Sequence, residues 1–135
     1  MNKYAEQYCI ASTIVTLCIL LICCVCHGAE IPKERVINAI IGEAEGGGLE
    51  GMRCVASGIN NRGTLKGVYG EKARRVTEHK YSPRTFVLAV QAYEDAKKHD
   101  FVYGATHWEG VSFKIPKWSK GMNVTTVCGG NRFYK

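Results

Sequence analysis

The sequence predicts a small α+β domain in which helices come first and short strands follow. Two observations support this class. Three segments place apolar residues at the i, i+3, i+4, i+7 spacing of an amphipathic helix, whereas the last third of the chain lacks that periodicity. Runs of helices followed by runs of strands are typical of α+β domains rather than of alternating βα units.

An apolar leader opens the chain. Residues 7–26 carry no charge, Lys3 precedes them and small residues close the segment, which is the pattern of a secretory signal. Cys26 and Gly28 suit the positions before a cut, so the sequence favours cleavage near Gly28. The run is also about long enough to span a bilayer, which takes roughly 17–25 residues. An uncleaved membrane anchor is therefore the alternative for residues 1–28.

The leader predicts an exported protein, in the periplasm, the cell envelope or the medium, or held at the inner membrane through residues 8–26. The predicted domain, residues 29–135, keeps the net charge of +6, because Lys3 and Glu6 cancel. It should fold around one modest core, and we expect a monomer without a cofactor. The basic charge favours anionic lipid or an acidic wall polymer, and export disfavours nucleic acid.

Five of the seven cysteines lie in the leader, which leaves Cys54 and Cys128 in the domain. Two cysteines in an exported domain can form one disulfide. Two separate, buried thiols are the alternative. These two residues predict no metal site.

Three helices are predicted, over about 33–45, about 49–61, and from Ser82-Pro83 to about 97. Their apolar faces consist, in order, of Ile37, Ile40, Ile41 and Ala44, of Met52, Val55, Ala56 and Ile59, and of Phe86, Ala89, Val90 and Tyr93. The second helix also carries small residues on its other side, so we expect it to pack on two sides. A capping serine followed by proline is typical of a helix start.

The remaining segments are irregular or extended. Residues 63–81 are polar and broken by glycines, which indicates a loop region. The stretches FVYGATHW and NVTTVCGGNRFYK are predicted to be extended, and the second forms two arms joined at Gly129-Gly130.

Glu43 is the first candidate for chemistry. It ends the first helix at the edge of the apolar face, and three glycines follow at 46–48. A carboxyl group that is partly shielded from water suits a general acid, and a backbone without side chains leaves room for a bulky substrate. A solvated glutamate beside a glycine helix stop is the ordinary alternative.

Residues 36–62 and residues 104–135 each carry a set of motifs, and these two stretches resemble the SleB-like cell wall hydrolase family, the group named for the spore cortex-lytic enzymes. VINAIIGEAEGGGLEGMRCVASGINNR is similar to the family's G-E-A-x-G step, its E-G pair and its small-residue helix closing on N-R. GATHWEGVSFKIPKWSKGMNVTTVCGGNRFYK resembles the closing segment, with a G-A-T-aromatic motif, P-x-W, and a last strand holding G-N and F-Y. Together they cover nearly all of residues 33–135.

The resemblance implies a lysozyme-like fold and cleavage of the peptidoglycan glycan strand, with Glu43 as the catalytic acid. It also implies a lytic transglycosylase mechanism, in which one carboxyl suffices and a 1,6-anhydro product forms. Glu109 is the candidate second acid. A separation of about 6.5–9.5 Å from Glu43 would allow the hydrolytic, inverting route of a muramidase. Alternatively, Glu109 orients the substrate or forms a hydrogen bond within its loop.

Other polar and aromatic residues divide into groove and structural candidates. Trp108 and Tyr81 are predicted to line a sugar-binding groove, whereas Trp118 and Tyr134 are predicted to pack. The resemblance alone implies that Thr106 donates a hydrogen bond to the substrate's acetamido group. Glu45 is predicted to point away from Glu43, because the two residues are two positions apart on a helix. Glu50 is predicted to lie in the first turn of the second helix, and Asn61-Arg62 to end that helix.

The residues also allow functions of other classes. A cysteine peptidase or amidase would use Cys54 and His107, and a zinc hydrolase would use His107 with the histidines at 79 and 99. A non-catalytic wall-binding or phage structural protein would keep the fold without the activity. A phage endolysin with a releasable anchor would allow leader cysteines to exchange disulfides with Cys54 or Cys128.

Three departures from the family pattern limit the resemblance, one of which is that Cys54 and Cys128 are not part of the family motif. The GGG at 46–48 replaces a G-E-P-like step, and residues 63–81 match poorly. The second region would shape substrate choice, so a preference for spore cortex is not carried over to this chain.

Overall fold

The structure is a computed structural model that describes residues 30–135. The predictions for residues 1–28 lie outside the described residues. In the described part, four α-helices precede three strands: α1 Lys33–Ala44, α2 Gly48–Arg62, α3 Arg74–Thr77, α4 Pro83–Ala96, β1 His107–Gly110, β2 Val124–Cys128 and β3 Asn131–Tyr134. Short 3₁₀ turns lie at Glu45–Gly47, Gly70–Lys72 and Lys117–Ser119. None of the described helices is both long and apolar enough to cross a bilayer.

The predicted α+β class is confirmed, and the three predicted helices are α1, α2 and α4. The cap predicted at Ser82 is present, since its hydroxyl accepts a hydrogen bond of 3.0 Å from the Thr85 amide. The short helix α3 was missed, because its four residues are too few to show an apolar period.

The predicted extended segment FVYGATHW is wrong over residues 101–104, which form turns, and β1 begins only at His107. Tyr103 and Gly104 have φ angles of 54° and 80°. The carboxylate of Asp100 accepts hydrogen bonds from the amides of Val102 and Gly104, which favours a turn over a strand. Burial would raise the pKa of Asp100, but these bonds outweigh it and lower the pKa.

The core forms where α1, α2 and α4 meet. Its fully buried side chains include Ile40, Ile41, Met52, Val55 and Ile59. These residues fall at helical spacing on α1 and α2, so each helix buries one face against the others. Burial of apolar area at roughly 25 cal/mol per Å² makes this face the main stabilising element of the helical part.

The opposite face of α2 packs on the sheet, as its small residues predicted. The ring of Trp108 lies against Gly58, where a Cβ atom would be 2.9 Å from the ring. The β2–β3 turn lies against Gly51 through the backbone of Gly129. A disulfide joins Cys54 of α2 to Cys128 of β2, with 6.4 Å between the Cα atoms.

The sheet is antiparallel, with β3 between β1 and β2. Trp108 is opposite Phe133, and both side chains point towards α2. His107 is opposite Tyr134 and therefore lies on the other face of the sheet. This register places the side chains of Trp108 and His107, which are sequence neighbours, on opposite faces of the sheet.

Candidate functional site

A cleft of about 630 Å³ lies between the end of α1 and the sheet. One group of its lining residues comes from α1, the end of α2 and the following loop, and the other comes from β1, the loop after it and β3. The first group is Glu43, Arg62, Gly67 and Tyr69. The second group is His107, Trp108, Glu109, Gly110, Phe113, Trp118, Met122 and Asn131.

The carboxylate of Glu43 is held by three N–H groups. Its Oε1 accepts hydrogen bonds from the backbone amides of Tyr69, at 3.1 Å, and Gly70, at 2.7 Å. Its Oε2 accepts from the indole Nε1 of Trp108, at 3.4 Å. Hydrogen bonds to a charged acceptor are strong and directional, so these contacts fix the orientation of the Glu43 side chain in the cleft.

Two glycines allow the Gly70–Lys72 turn to reach Glu43. A side chain at Gly42 would overlap the carbonyl group of Gly70. A Cβ atom at Gly70 would overlap the Ala39 carbonyl oxygen and lie 2.7 Å from the Cγ of Glu43. The backbone of the turn therefore lies directly on α1, which brings its amides within hydrogen-bonding distance of Glu43.

An ion pair holds the same turn from its outer side. The guanidinium of Arg35 donates two hydrogen bonds to the carboxylate of Glu71, at 3.0 and 2.7 Å. These bonds lower the pKa of Glu71, so it stays charged at neutral pH and the pair persists. Both residues are outside the cleft, and their effect is on the position of the turn.

Glu109 lies in the same cleft as Glu43, so the fold brings the two candidate carboxyl groups together. Its Oε1 accepts a hydrogen bond of 3.1 Å from the amide of Gly110, the next residue. This local contact matches one of the alternatives for Glu109, a hydrogen bond within its own segment. Glu45, by contrast, faces away and accepts from Thr85 and Arg75.

The structure separates the predicted groove residues. Trp108 lines the cleft, whereas Tyr81 and Thr106 are not among the lining residues. Tyr81 packs against the core beside α4, and the Thr106 hydroxyl is 2.8 Å from Nδ1 of His107. Trp118, predicted to pack, instead lines the cleft and is 46% exposed.

Tyr134 is buried, with 2% of its surface exposed, which fits its predicted packing role. The ring of Trp118 packs against both His107 and Tyr134, with ring centroids 5.6 and 5.3 Å away. Cross-strand pairing places His107 and Tyr134 side by side, so together they form the platform for Trp118. A P-x-W motif alone could not show that the outer side of this ring borders a cleft.

Arg62 and His107 are cleft residues that the sequence assigned elsewhere. Burial lowers the pKa of His107, and the positive charge of Arg62 lowers it further. Both effects disfavour the imidazolium. The cleft therefore contains the cation of Arg62 and an imidazole, that of His107, which is neutral at pH 7. The sequence could not predict this pair, because the two residues are 45 positions apart and belong to no common motif.

The cysteine alternative conflicts with the structure, because the sulfur of Cys54 is bonded to Cys128 and is not a free nucleophile. In residues 30–135, no three His, Cys, Asp or Glu side chains are grouped as a metal site requires.

Helices followed by a three-stranded antiparallel sheet define an α+β fold, and this fold is similar to that of a SleB catalytic domain. The chain is similar to the crystal structure of the catalytic domain of the Bacillus cereus SleB protein, with a TM-score of 0.54 and 19% sequence identity. The match covers 79% of this chain and 97% of that chain. No family model and no curated protein sequence matches the chain.

Proposed function

We propose that this protein is a cell wall lytic enzyme that cleaves the glycan strand of peptidoglycan. The main support is Glu43, a single carboxylate held by three N–H donors inside an open cleft. The likeness of the fold to the SleB catalytic domain supports the same class. Such an enzyme must reach the wall, which agrees with the export predicted from the leader.

We further propose a lytic transglycosylase reaction with Glu43 as the general acid and base. Glu43 gives its proton to the glycosidic oxygen as the bond from that oxygen to the anomeric carbon breaks. Its carboxylate then takes the proton of the muramic acid 6-hydroxyl, whose oxygen attacks the same anomeric carbon. The products are a new chain end and a 1,6-anhydro ring, no water is consumed, and Glu43 regains its proton.

The hydrogen-bond donors around Glu43 have a defined part in this scheme. Between the two proton transfers Glu43 is a carboxylate, and the amide of Gly70 and the indole of Trp108 stabilise that state. They also keep the carboxyl oriented towards the substrate for both transfers. Preorganised donors of this kind need no rearrangement during the reaction.

A hydrolytic muramidase is the second candidate, and the position of Glu109 in the same cleft favours it. In that reaction Glu43 would protonate the leaving oxygen while Glu109 activates a water molecule on the opposite side of the sugar. The two reactions differ in their products, since hydrolysis leaves a reducing end and transglycosylation leaves an anhydro end.

Mass spectrometry of digested peptidoglycan distinguishes these candidates. We expect anhydro-muropeptides from the wild type and a rate lower by about 100-fold or more for Glu43→Gln, in line with loss of a general acid. Glu50→Gln, an exposed glutamate in the first turn of α2, is the matched control and should keep full activity. Glu109→Gln should retain most of the activity.

Other outcomes have definite meanings. Reducing-end products that disappear in Glu109→Gln would establish the hydrolytic route. Equal digestion by the wild type and Glu43→Gln would exclude Glu43 as the acid. Absence of digestion by the folded wild type on several wall types would favour the non-catalytic wall-binding alternative.

A further inference from the structure

The positive charge of the chain is concentrated at its C-terminal end. Residues 110–135 contain five lysine and arginine residues and no aspartate or glutamate. These five account for most of the net charge of +6. They are Lys114, Lys117, Lys120, Arg132 and Lys135.

The ion pairs of the described residues all lie elsewhere. Six salt bridges are present, and every one joins residues between 33 and 95. Lys114, Lys117 and Lys120 are exposed and take part in none of them. Their charges are therefore available to an anionic partner.

Large apolar side chains are exposed in the same segment. Phe113 and Ile115 flank Lys114, with 64% and 72% of their surfaces exposed. Val111 and Trp118 are also partly uncovered, as are two valines of β2. Several exposed apolar side chains in one segment, interleaved with lysines, are typical of a surface that meets a partner.

The loop of residues 111–120, which we term the basic loop, is held in place by contacts with β3 and with the turn that precedes it. The amide of Val111 donates to the carbonyl of Gly130, at 2.8 Å. The guanidinium of Arg132 donates to the carbonyls of Val111, at 2.7 Å, and Phe113, at 3.3 Å. Trp118 packs on Tyr134 at the other end. The anchored loop presents Phe113, Lys114 and Ile115 to solvent, away from the core.

We propose that the basic loop docks on an anionic phospholipid bilayer. Lys114, Lys117 and Lys120 approach the headgroup phosphates, while Phe113 and Ile115 enter the interface between headgroups and acyl chains. An acidic wall polymer would satisfy the lysines but would leave Val111 and Ile115, exposed apolar residues outside the cleft lining, without a function. The combination of both residue types favours the bilayer.

Docking through this loop has a consequence for the cleft. Phe113 and Trp118 belong both to the basic loop and to the lining of the cleft. The bilayer surface would therefore lie beside the cleft opening, independently of any contact made by the leader. This inference does not depend on the catalytic proposal, because lipid binding is measured without a glycan substrate.

Sedimentation with lipid vesicles tests the proposal. Residues 31–135 form one compact unit that contains the core and the disulfide, so residues 30–135 serve as the test protein. We expect binding to phosphatidylcholine vesicles that contain phosphatidylglycerol, weak binding to phosphatidylcholine alone, and a decrease in affinity as salt rises. Thermal unfolding of each variant verifies that it is folded.

Variants assign the binding to the loop. K114Q/K117Q/K120Q should weaken binding on the order of 100-fold, at about 1 kcal/mol per lysine near an anionic surface. Ile115→Ser should weaken it by about tenfold through loss of buried apolar area. The control K66Q/K72Q/K98Q removes the same charge elsewhere, and Val87→Ser removes an exposed apolar side chain on α4. Both controls should bind like the wild type.

Three results would overturn the proposal: equal binding to neutral and anionic vesicles, full binding by the triple glutamine variant, or an equal loss in the charge-matched control. Peptidoglycan binding that is lost in the triple variant, without any vesicle binding, would identify an acidic wall polymer as the partner instead. Glycan digestion is measured in parallel and should be unchanged in Ile115→Ser, which separates this test from that of Glu43.

Discussion

The helical part of the protein, residues 33–96, and its sheet part, residues 107–135, differ in how much of their apolar surface is buried and in whether their charges are paired. Ile40 and Ile41 in α1 are fully buried, whereas Phe113 and Ile115 after β1 are mostly exposed. All six salt bridges lie in the helical part, and the sheet part has none among the described residues.

This difference indicates a division of roles. Helices that bury a shared face and pair their charges provide a rigid support, and this support carries Glu43. The sheet part contributes Trp108 and Glu109 to the cleft and exposes side chains that remain free to bind. Several contacts join the two parts, among them the Cys54–Cys128 disulfide, the hydrogen bond from Trp108 to Glu43, and the packing of Gly129 on Gly51.

Removing the disulfide should produce the largest change in stability. Cys54 and Cys128 are separated by 74 positions, so the bridge closes a long loop in the unfolded chain. We expect the double variant C54S/C128S to lose about 4.5 kcal/mol of unfolding free energy, from the chain-entropy relation for a loop of this length. Chemical denaturation measures this loss, and the wild type in reductant should behave like the variant. Unchanged stability would mean that other contacts hold the sheet to α2.

Gly70→Ala should have the next largest effect on stability. Its Cβ would overlap the Ala39 carbonyl and press on Glu43, and forced overpacking usually costs about 1–3 kcal/mol. Activity should fall as well, because the turn that donates to Glu43 must move. Gly46→Ala is the matched control, since nothing lies within 4 Å of the added Cβ atom. Equal melting temperatures for the two variants would contradict the close packing of the turn on α1.

Trp108→Phe tests the contact between the two parts at the site itself. The substitution keeps an aromatic ring over Gly58 but removes the indole N–H that donates to Glu43. A hydrogen bond to a charged group contributes about 1.5–3 kcal/mol, and at 3.4 Å we expect the low end, a decrease in kcat of about tenfold. KM should change less. A variant with wild-type kcat would show that the indole does not assist Glu43.

The sequence predicted the helical part well because its signals are local. Apolar residues at helical spacing and the serine cap at Ser82 are each visible within one short window. Glu43 was found as a candidate for the same reason, since its position at the end of an apolar face is a feature of α1 alone. The overall class followed from the order of helices and strands.

The surroundings of Glu43 were not predictable in this way. Two of its three hydrogen-bond donors are backbone amides, at Tyr69 and Gly70, and a backbone amide carries no residue-type signal. They come from residues 63–81, where the sequence has no periodicity to place the chain. Trp118 was misassigned because its exposure depends on how its ring packs against Tyr134 of β3, which local sequence does not show.

The smallest expected effect concerns the pH dependence of stability at His107. Burial and the charge of Arg62 place the pKa of His107 below its ordinary value of 6.5. Between these two values the unfolded chain binds more protons than the folded one, so the free energy of unfolding rises with pH. The stabilising contribution is complete above 6.5 and is lost as pH falls through the lowered pKa. Because His107 is half-buried, the change in stability is modest.

An NMR titration of the imidazole measures this directly. We expect His107 to titrate below 6.5 in the wild type and at higher pH in Arg62→Gln, since that variant removes the repelling charge but leaves the burial. His107→Gln should flatten the stability profile between pH 5 and 7 relative to the wild type. An unchanged titration in Arg62→Gln would mean that burial alone lowers the pKa. Arg62 would then be too well solvated to act on the other side of the cleft, and the helical part would support the site without influencing its protonation.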